Sequence, residues 1–213
     1  MIMSSRIVRS GASIAVLIAG GALFAVSMLP VGAEPEKGPV VGSKLPKGKQ
    51  TSLGLYVTAA QAYDMWKAAP DKVKVIDVRT PEEYAFVGHP EMAWNIPLAF
   101  VTYQMKDGKF TYGQKANPTL VAQVREVAQP TDILLVTCRS GGRGAMAVNA
   151  LAAAGFTNAY NIVDGFEGDL VEDPDSVYNG KRMKNGWKNS APWVYGIDRE
   201  EVILEEGSSK QTK

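Results

Sequence analysis

Apolar and polar positions follow two rhythms along most of this chain. Between 59 and about 69, Tyr63 and Trp66 give one apolar side, with Thr58 placed to cap a helix and Pro70 to stop it. Val73-Lys74-Val75-Ile76-Asp77 is short and β-branched, the pattern of a strand. Thr80-Pro81-Glu82-Glu83 then offers a cap, a proline at the first helical position and a glutamate at the third, so a second helix starts there. Trp94-Asn95-Ile96 predicts another short strand. FVTYQM and KFTYGQ flank Asp107-Gly108, which predicts a hairpin over 100–117 as an excursion from the main sheet. Asn117-Pro118 opens a helix over LVAQVREVA, closed by Pro130. Ile133-Leu134-Leu135-Val136-Thr137 is apolar nearly throughout, as expected of a strand covered on both faces. A glycine-rich loop, the helix AMAVNALAAA ended by Gly155, and a last strand over 158–163 complete the series. Strands alternating with helices predict an α/β fold in three layers, a central and mostly parallel sheet of about five strands with helices on both faces.

The two ends depart from this rhythm. Residues 1–10 carry Arg6 and Arg9 and no acid, and 11–33 carry no charge. Pro30 breaks the apolar run, and Val31 and Ala33 put short side chains before a cut at Glu34. A basic start, an apolar centre and a small-residue end read as a secretory signal over 1–33. The run is also long enough to span a bilayer as an uncleaved anchor. On either reading the body is exported, to a periplasmic or other extracytoplasmic space, and meets a membrane only if the leader is retained. Residues 34–54, rich in Pro, Gly and Lys, read as a flexible tether. The folded domain is expected over 55–198, with a polar, frayed tail over 199–213.

Charge and composition narrow the chemistry. The 213 residues hold 23 Lys+Arg against 22 Asp+Glu. Without 1–33 the balance is 21 to 22, a net charge of −1. Neither value supports nucleic-acid binding, which needs concentrated positive charge. One cysteine excludes an intrachain disulfide, a Cys-x-x-Cys redox pair and a thiolate zinc cage, and one histidine excludes a multi-His metal site. No metal and no cofactor is expected, and the candidate chemistry falls on Cys138.

Cys138 follows the buried strand, at the strand end where ligands of parallel sheets sit. The loop after it reads CRSGGRG. Gly141, Gly142 and Gly144 let backbone N–H groups converge without a Cβ clash, and with the following helix N-terminus they favour negative charge. Arg139 and Arg143 add two cations. Arg139, Ser140, Gly141, Gly142, Arg143 and Gly144 together make a site for a thiolate and an anion. A cysteine ending an apolar strand is otherwise a small core residue. A core cysteine, however, has no use for such a loop.

CRSGGR resembles the active-site loop of the rhodanese sulfurtransferases, Cys-Arg-x-Gly-x-Arg/Thr. Ile76-Asp77-Val78-Arg79-Thr80-Pro81-Glu82-Glu83-Tyr84 is similar to that family's strand-to-helix signature. Gly88-His89-Pro90 with Ala93-Trp94-Asn95-Ile96-Pro97 resembles the segment that follows it. Asp164-Gly165-Phe166, Gly186-Trp187 and Pro192-Trp193 are similar to its closing elements. The likeness runs over 55–195. Where the family usually reads Gly-His-Ile-Pro-Gly-Ala, this chain reads GHPEMA.

The resemblance implies the three-layer rhodanese-like fold and sulfane-sulfur transfer. Cys138 would take sulfur from thiosulfate or a related small anionic donor and pass it from a persulfide to cyanide or a thiol acceptor. Arg143, and after it Arg139, are the candidates for the donor's oxygens. The other use for either arginine is a salt bridge to Asp77 or Glu83. Asp77, Arg79 and Glu83 are expected to support the loop, and His89 to shape a turn. Two other readings stay open. One is a non-catalytic sulfur carrier or binding module. The other is a phosphatase or arsenate reductase, whose loops separate Cys and Arg by five residues rather than the four found here.

Overall fold

The β-branched and apolar runs come together as neighbours in one sheet. The computed structural model describes residue 40 and residues 42–198 and 200–203. The leader reading over 1–33 and the end of the tail over 204–213 lie outside the described residues. Two 3-10 turns, Gly42–Lys44 and Lys47–Lys49, come first. They are followed by β1 (Tyr56–Val57), α1 (Ala59–Ala68), β2 (Val73–Asp77), α2 (Pro81–Val87) and β3 (Ala93–Asn95). Then come β4 (Ala99–Lys106), β5 (Lys109–Ala116), α3 (Leu120–Arg125), β6 (Ile133–Thr137) and α4 (Gly142–Ala153). The last elements are β7 (Ala159–Ile162), β8 (Asp169–Leu170), β9 (Arg182–Lys184) and α5 (Trp187–Ser190).

The main sheet has five strands in the order β1-β7-β6-β2-β3, and every pairing in it is parallel. Alternate side chains of one strand serve opposite layers. Ile76, Leu134 and Val136 pack with Leu120, Val124, Val148 and Leu151 of α3 and α4. Val73, Val75 and Leu135 pack with Ala59, Ala62, Tyr84 and Trp187 of α1, α2 and α5. The three-layer α/β architecture expected from the alternation is therefore present. Both α1 and α2 begin with reciprocal capping boxes, Thr58 with Gln61 and Thr80 with Glu83, which satisfy backbone donors that a helix start leaves open.

Register decides where the site lies. Asp77 pairs with Thr137, and Val136 with Asn161, so β2, β6 and β7 end together. The loops after them bring Arg79, Cys138 and Asp164 to one edge. Asp164 is buried there and fastens two helices, its carboxylate accepting from Ala59 N and Gly186 N, both at 2.8 Å. Burial raises the Asp164 carboxyl above its ordinary value, and the two amide donors oppose that shift.

The hairpin forms as expected: β4 and β5 pair from Ala99↔Ala116 to Lys106↔Lys109 in a sheet of their own. Asp107 (φ 51°) and Gly108 (φ 72°) make the turn, both left-handed as a two-residue hairpin turn requires. Other expectations need correction. The helix after the cysteine starts at Gly142, not at Ala145, so Arg143 and Gly144 belong to its first turn. The helix over LVAQVREVA ends at Arg125 and continues as tighter turns, with Val127 and Ala128 amides both on Val124 O. β1 has no signal in the apolar pattern, because two residues show no period; pairing with β7 creates it.

The stretch over 34–54 read as a tether is fastened in its later part. Lys49 O accepts from Asn161 Nδ2 at 3.0 Å, and Ser52 N donates to Asn149 Oδ1 at 2.8 Å. The expected tail over 199–213 likewise begins inside the fold. Glu201 O and Ile203 N bond Asn95, Val202 and Ile203 are buried, and the outer edge of β3 is thereby covered. No helix among the described residues is long and apolar enough to cross a membrane.

Replacing Asp164 by Ala would leave two amides unpaired in the interior. The expected cost is about 3 kcal/mol, from the loss of hydrogen bonds to a charged acceptor. Urea unfolding should show it as a lowered midpoint with an unchanged slope.

Candidate active site

Cys138 ends the buried run of β6, and its side chain lies at the floor of a cavity of about 510 Å³. The residue is 1% exposed. Its Sγ accepts a hydrogen bond from Gly141 N at 3.1 Å. Gly141 itself is left-handed (φ 95°), and a Cβ there would meet Val163 O at 2.3 Å, so only glycine fits. The amides of Gly142, Arg143 and Gly144 follow in the first turn of α4, where backbone N–H groups have no partner within a helix. Gly141, whose amide reaches the sulfur, is the N-cap of this twelve-residue helix, so the helix N-terminus begins beside Cys138.

Backbone contacts hold the loop from behind. Phe166 N donates to Cys138 O at 2.7 Å, and Glu167 N to Arg139 O at 3.0 Å. Gly165 (φ 64°) permits this approach, since a Cβ there would sit 2.5 Å from Cys138 O. Asn161 Nδ2 donates to Gly141 O at 3.1 Å, while Gly144 leaves room for the Asn161 side chain. Asn161 and Gly165 were not singled out as site residues in the sequence. Their signal was slight: a polar residue in an apolar parallel strand, and a glycine within the Asp164-Gly165-Phe166 motif.

The charged candidates divide into three uses. Arg79 and Asp77 are both fully buried and pair with each other. Arg79 Nε lies 3.0 Å from both Asp77 oxygens, its Nη2 donates to Gly88 O at 2.7 Å, and its guanidinium lies over the Phe166 ring. Arg143, the first candidate for the donor's oxygens, instead forms a two-point pair with Glu83, each bond 2.6 Å. Burial would raise the Glu83 carboxyl, but the Arg143 guanidinium, with the Thr80 amide and the Arg79 charge, outweighs it and holds the group below its ordinary value. Arg139 is exposed on the cavity wall and has no ion pair among the described residues. Ser140 and Gly142 line the cavity beside it. His89 is buried, stacked on Tyr84 at 3.5 Å with Nδ1 3.0 Å from Tyr84 O, and does not line the cavity. Burial lowers its basicity, as suits a residue that shapes a turn.

The profile of the Rhodanese-like domain matches residues 58–170. The chain belongs to the rhodanese-like domain family. A crystal structure of Rv0390 from M. tuberculosis is 31% identical, with a TM-score of 0.51 over 66% of this chain and 96% of that one. An uncharacterised protein of Rickettsia conorii is 31% identical over 141 residues, 65% of this chain and 96% of its own length. Thiosulfate sulfurtransferase 16, a chloroplastic protein of Arabidopsis thaliana, is 36% identical over 110 residues, 52% of this chain and 82% of its own.

In this rhodanese-like domain the hairpin reaches the site. Val101, Tyr112 and Gln114 line the cavity of Cys138. Val101 pairs with Gln114, and Tyr112 lies two residues from Gln114, so the three share one face of the ribbon. The sequence placed this excursion outside the main sheet but gave it no role, since only the fold brings Gln114 and Cys138 to one cavity.

The Glu83–Arg143 pair carries a stability prediction. A carboxyl held low in the folded chain contributes fully above its ordinary value, and that contribution is lost as pH falls through the lower folded value. Glu83→Gln should therefore cost about 2 kcal/mol at neutral pH. The gap to the wild type should close in urea titrations as the pH is taken below the ordinary carboxylate range.

Proposed function

We propose that this protein is a sulfurtransferase that moves sulfane sulfur from thiosulfate, or a related small anion, to cyanide or a thiol through a persulfide on Cys138. The observation that carries the reading is Cys138 Sγ under the Gly141 amide at a helix N-terminus, with Arg139 on the wall of the same cavity and without an ion pair among the described residues. In the first half, the Cys138 thiolate attacks the outer sulfur of the donor. A bond forms between Sγ and that sulfur, the donor's own S–S bond breaks, and its electron pair leaves with sulfite. Gly141 N–H and the first-turn amides of α4 are already in place for the negative charge, so little reorganisation is needed.

Arg139 is free to meet the donor's oxygens, a charge-assisted contact. Arg143 and Glu83 neutralise each other and support the loop instead. In the second half, the acceptor attacks the outer sulfur, and the electron pair of the Cys138–sulfur bond returns to Sγ. Two half-reactions through a covalent intermediate give ping-pong kinetics, with no metal or cofactor in either. We assign the reaction to the extracytoplasmic side, on the basic start and apolar run over 1–33.

Intact-mass measurement after thiosulfate treatment tests the proposal. Wild type should gain one sulfur atom, lose it to cyanide or thiol, and Cys138→Ser should gain none. A gain without discharge would mean a carrier; no gain, with phosphate released from an aryl phosphate, would mean a phosphatase. Arg139→Ala should raise the thiosulfate KM roughly tenfold and leave the KM of the acceptor near that of wild type.

A further inference from the structure

The cavity of Cys138 does not stand alone. Beyond Gln114 and Arg143, which line both spaces, lies a second cavity of about 440 Å³ between the hairpin base and helices α3 and α4. Its walls are chiefly Leu98, Ala99, Leu120, Val121, Met146 and Ala150. Among the described residues Arg143 is the one charged residue lining it, and that charge is held by Glu83 at 2.6 Å. The two spaces therefore differ in kind. The first has loop amides and Arg139, which has no ion pair among the described residues, and is suited to a small anion. The second is an apolar trough without an unpaired charge, of a size that encloses part of a small organic molecule.

A donor such as thiosulfate has no apolar part to place there. The acceptor does, if it is an organic thiol. Its sulfur must reach the persulfide on Cys138, and the rest of it must lie against a wall of the site. Of the spaces that share a lining residue with that cavity, the one beside Ser140 is walled by Lys49, Asp169, Glu172, Arg182 and Lys184, and the trough is the one whose burial of methylene groups would stabilise the complex. We propose that the trough seats the body of the acceptor, a small uncharged thiol with an aliphatic chain. The proposal rests on the sulfur-transfer reading. In the step it serves, the acceptor thiolate bonds to the outer sulfur, the bond from that sulfur to Sγ breaks, and the electron pair stays on Cys138. The product is the acceptor's persulfide.

Two probes of the same chemistry and different length test this, mercaptohexanol and mercaptoethanol. With persulfide-loaded wild type, kcat/KM should favour the longer thiol by roughly tenfold or more, because its additional methylenes are buried. Met146 is 61% exposed on α4, so a charge there should not disturb folding. Met146→Glu should bring the preference close to one, and Met146→Leu should keep it. Separately, amide chemical shifts of Cys138→Ser protein, which cannot carry sulfur, should move at Val121 and Ala150 on adding mercaptohexanol. Equal rates for the two thiols, or shifts elsewhere only, would overturn the trough assignment. If wild type takes up no sulfur while Val121 and Ala150 still shift, the trough stands as a ligand site and the sulfur-transfer reading fails alone.

Discussion

A carboxylate and a guanidinium with no exposed surface, Asp77 and Arg79, set the terms at the end of β2. Two buried charges are tolerated only when paired and hydrogen-bonded, and removing either would strand the other in the interior. Arg79 Nε and Nη2 are bonded, Nη1 is buried without a hydrogen-bond partner among the described residues, and groups from several segments close round the pair. Gly88 O beyond α2 accepts from Arg79, the Phe166 ring covers its guanidinium, and Asn95 Nδ2 donates to Asp77 O and Arg79 O. The ion pair thus ties the end of β2 to the residue after α2 and to the loop after β7, while the Asn95 side chain, bonded to two backbone carbonyls, ties in β3.

What is fixed there reaches the cysteine by two routes. Through α2, the capping box at Thr80 orients Glu83, whose carboxylate holds Arg143 in the first turn of α4. Through the loop after β7, Phe166 and Glu167 amides bind the carbonyls of Cys138 and Arg139, and Gly165 allows the two backbones to touch. The loop's carbonyls are bound from behind, while the amide of Gly141 is directed to the sulfur. The position of the Gly141 amide at Cys138 is in this sense a result of packing.

Much of this was legible in the sequence where the signal is local. The apolar run of β6, the capping residues of α1 and α2, the Asp107-Gly108 turn and the glycines after Cys138 each act within a few residues, and each formed. The loop after Cys138 was legible as a glycine-rich turn between a buried strand and a helix. The pairings were not legible in the same way. Arg143 could have faced the substrate or Glu83, sixty positions away, and nothing in a one-dimensional pattern ranks those choices. The burial of Val202 and Ile203 and the fastening of 42–54 depend on surfaces that exist only after the sheet has formed.

The sequence by itself determined most of the main sheet's strands and the longer helices, the alternation that makes a parallel three-layer sheet, and the place of the single cysteine after β6. These follow from backbone preferences and from the period of apolar side chains, which are properties of short stretches. Only the tertiary structure decided that Arg143 pairs with Glu83 while Arg139 has no ion pair among the described residues. It also decided that the hairpin walls the site, and that an apolar trough lies beyond Gln114. Those outcomes are set by which distant groups come within hydrogen-bond or van der Waals reach, and that reach is created by strand register and helix packing.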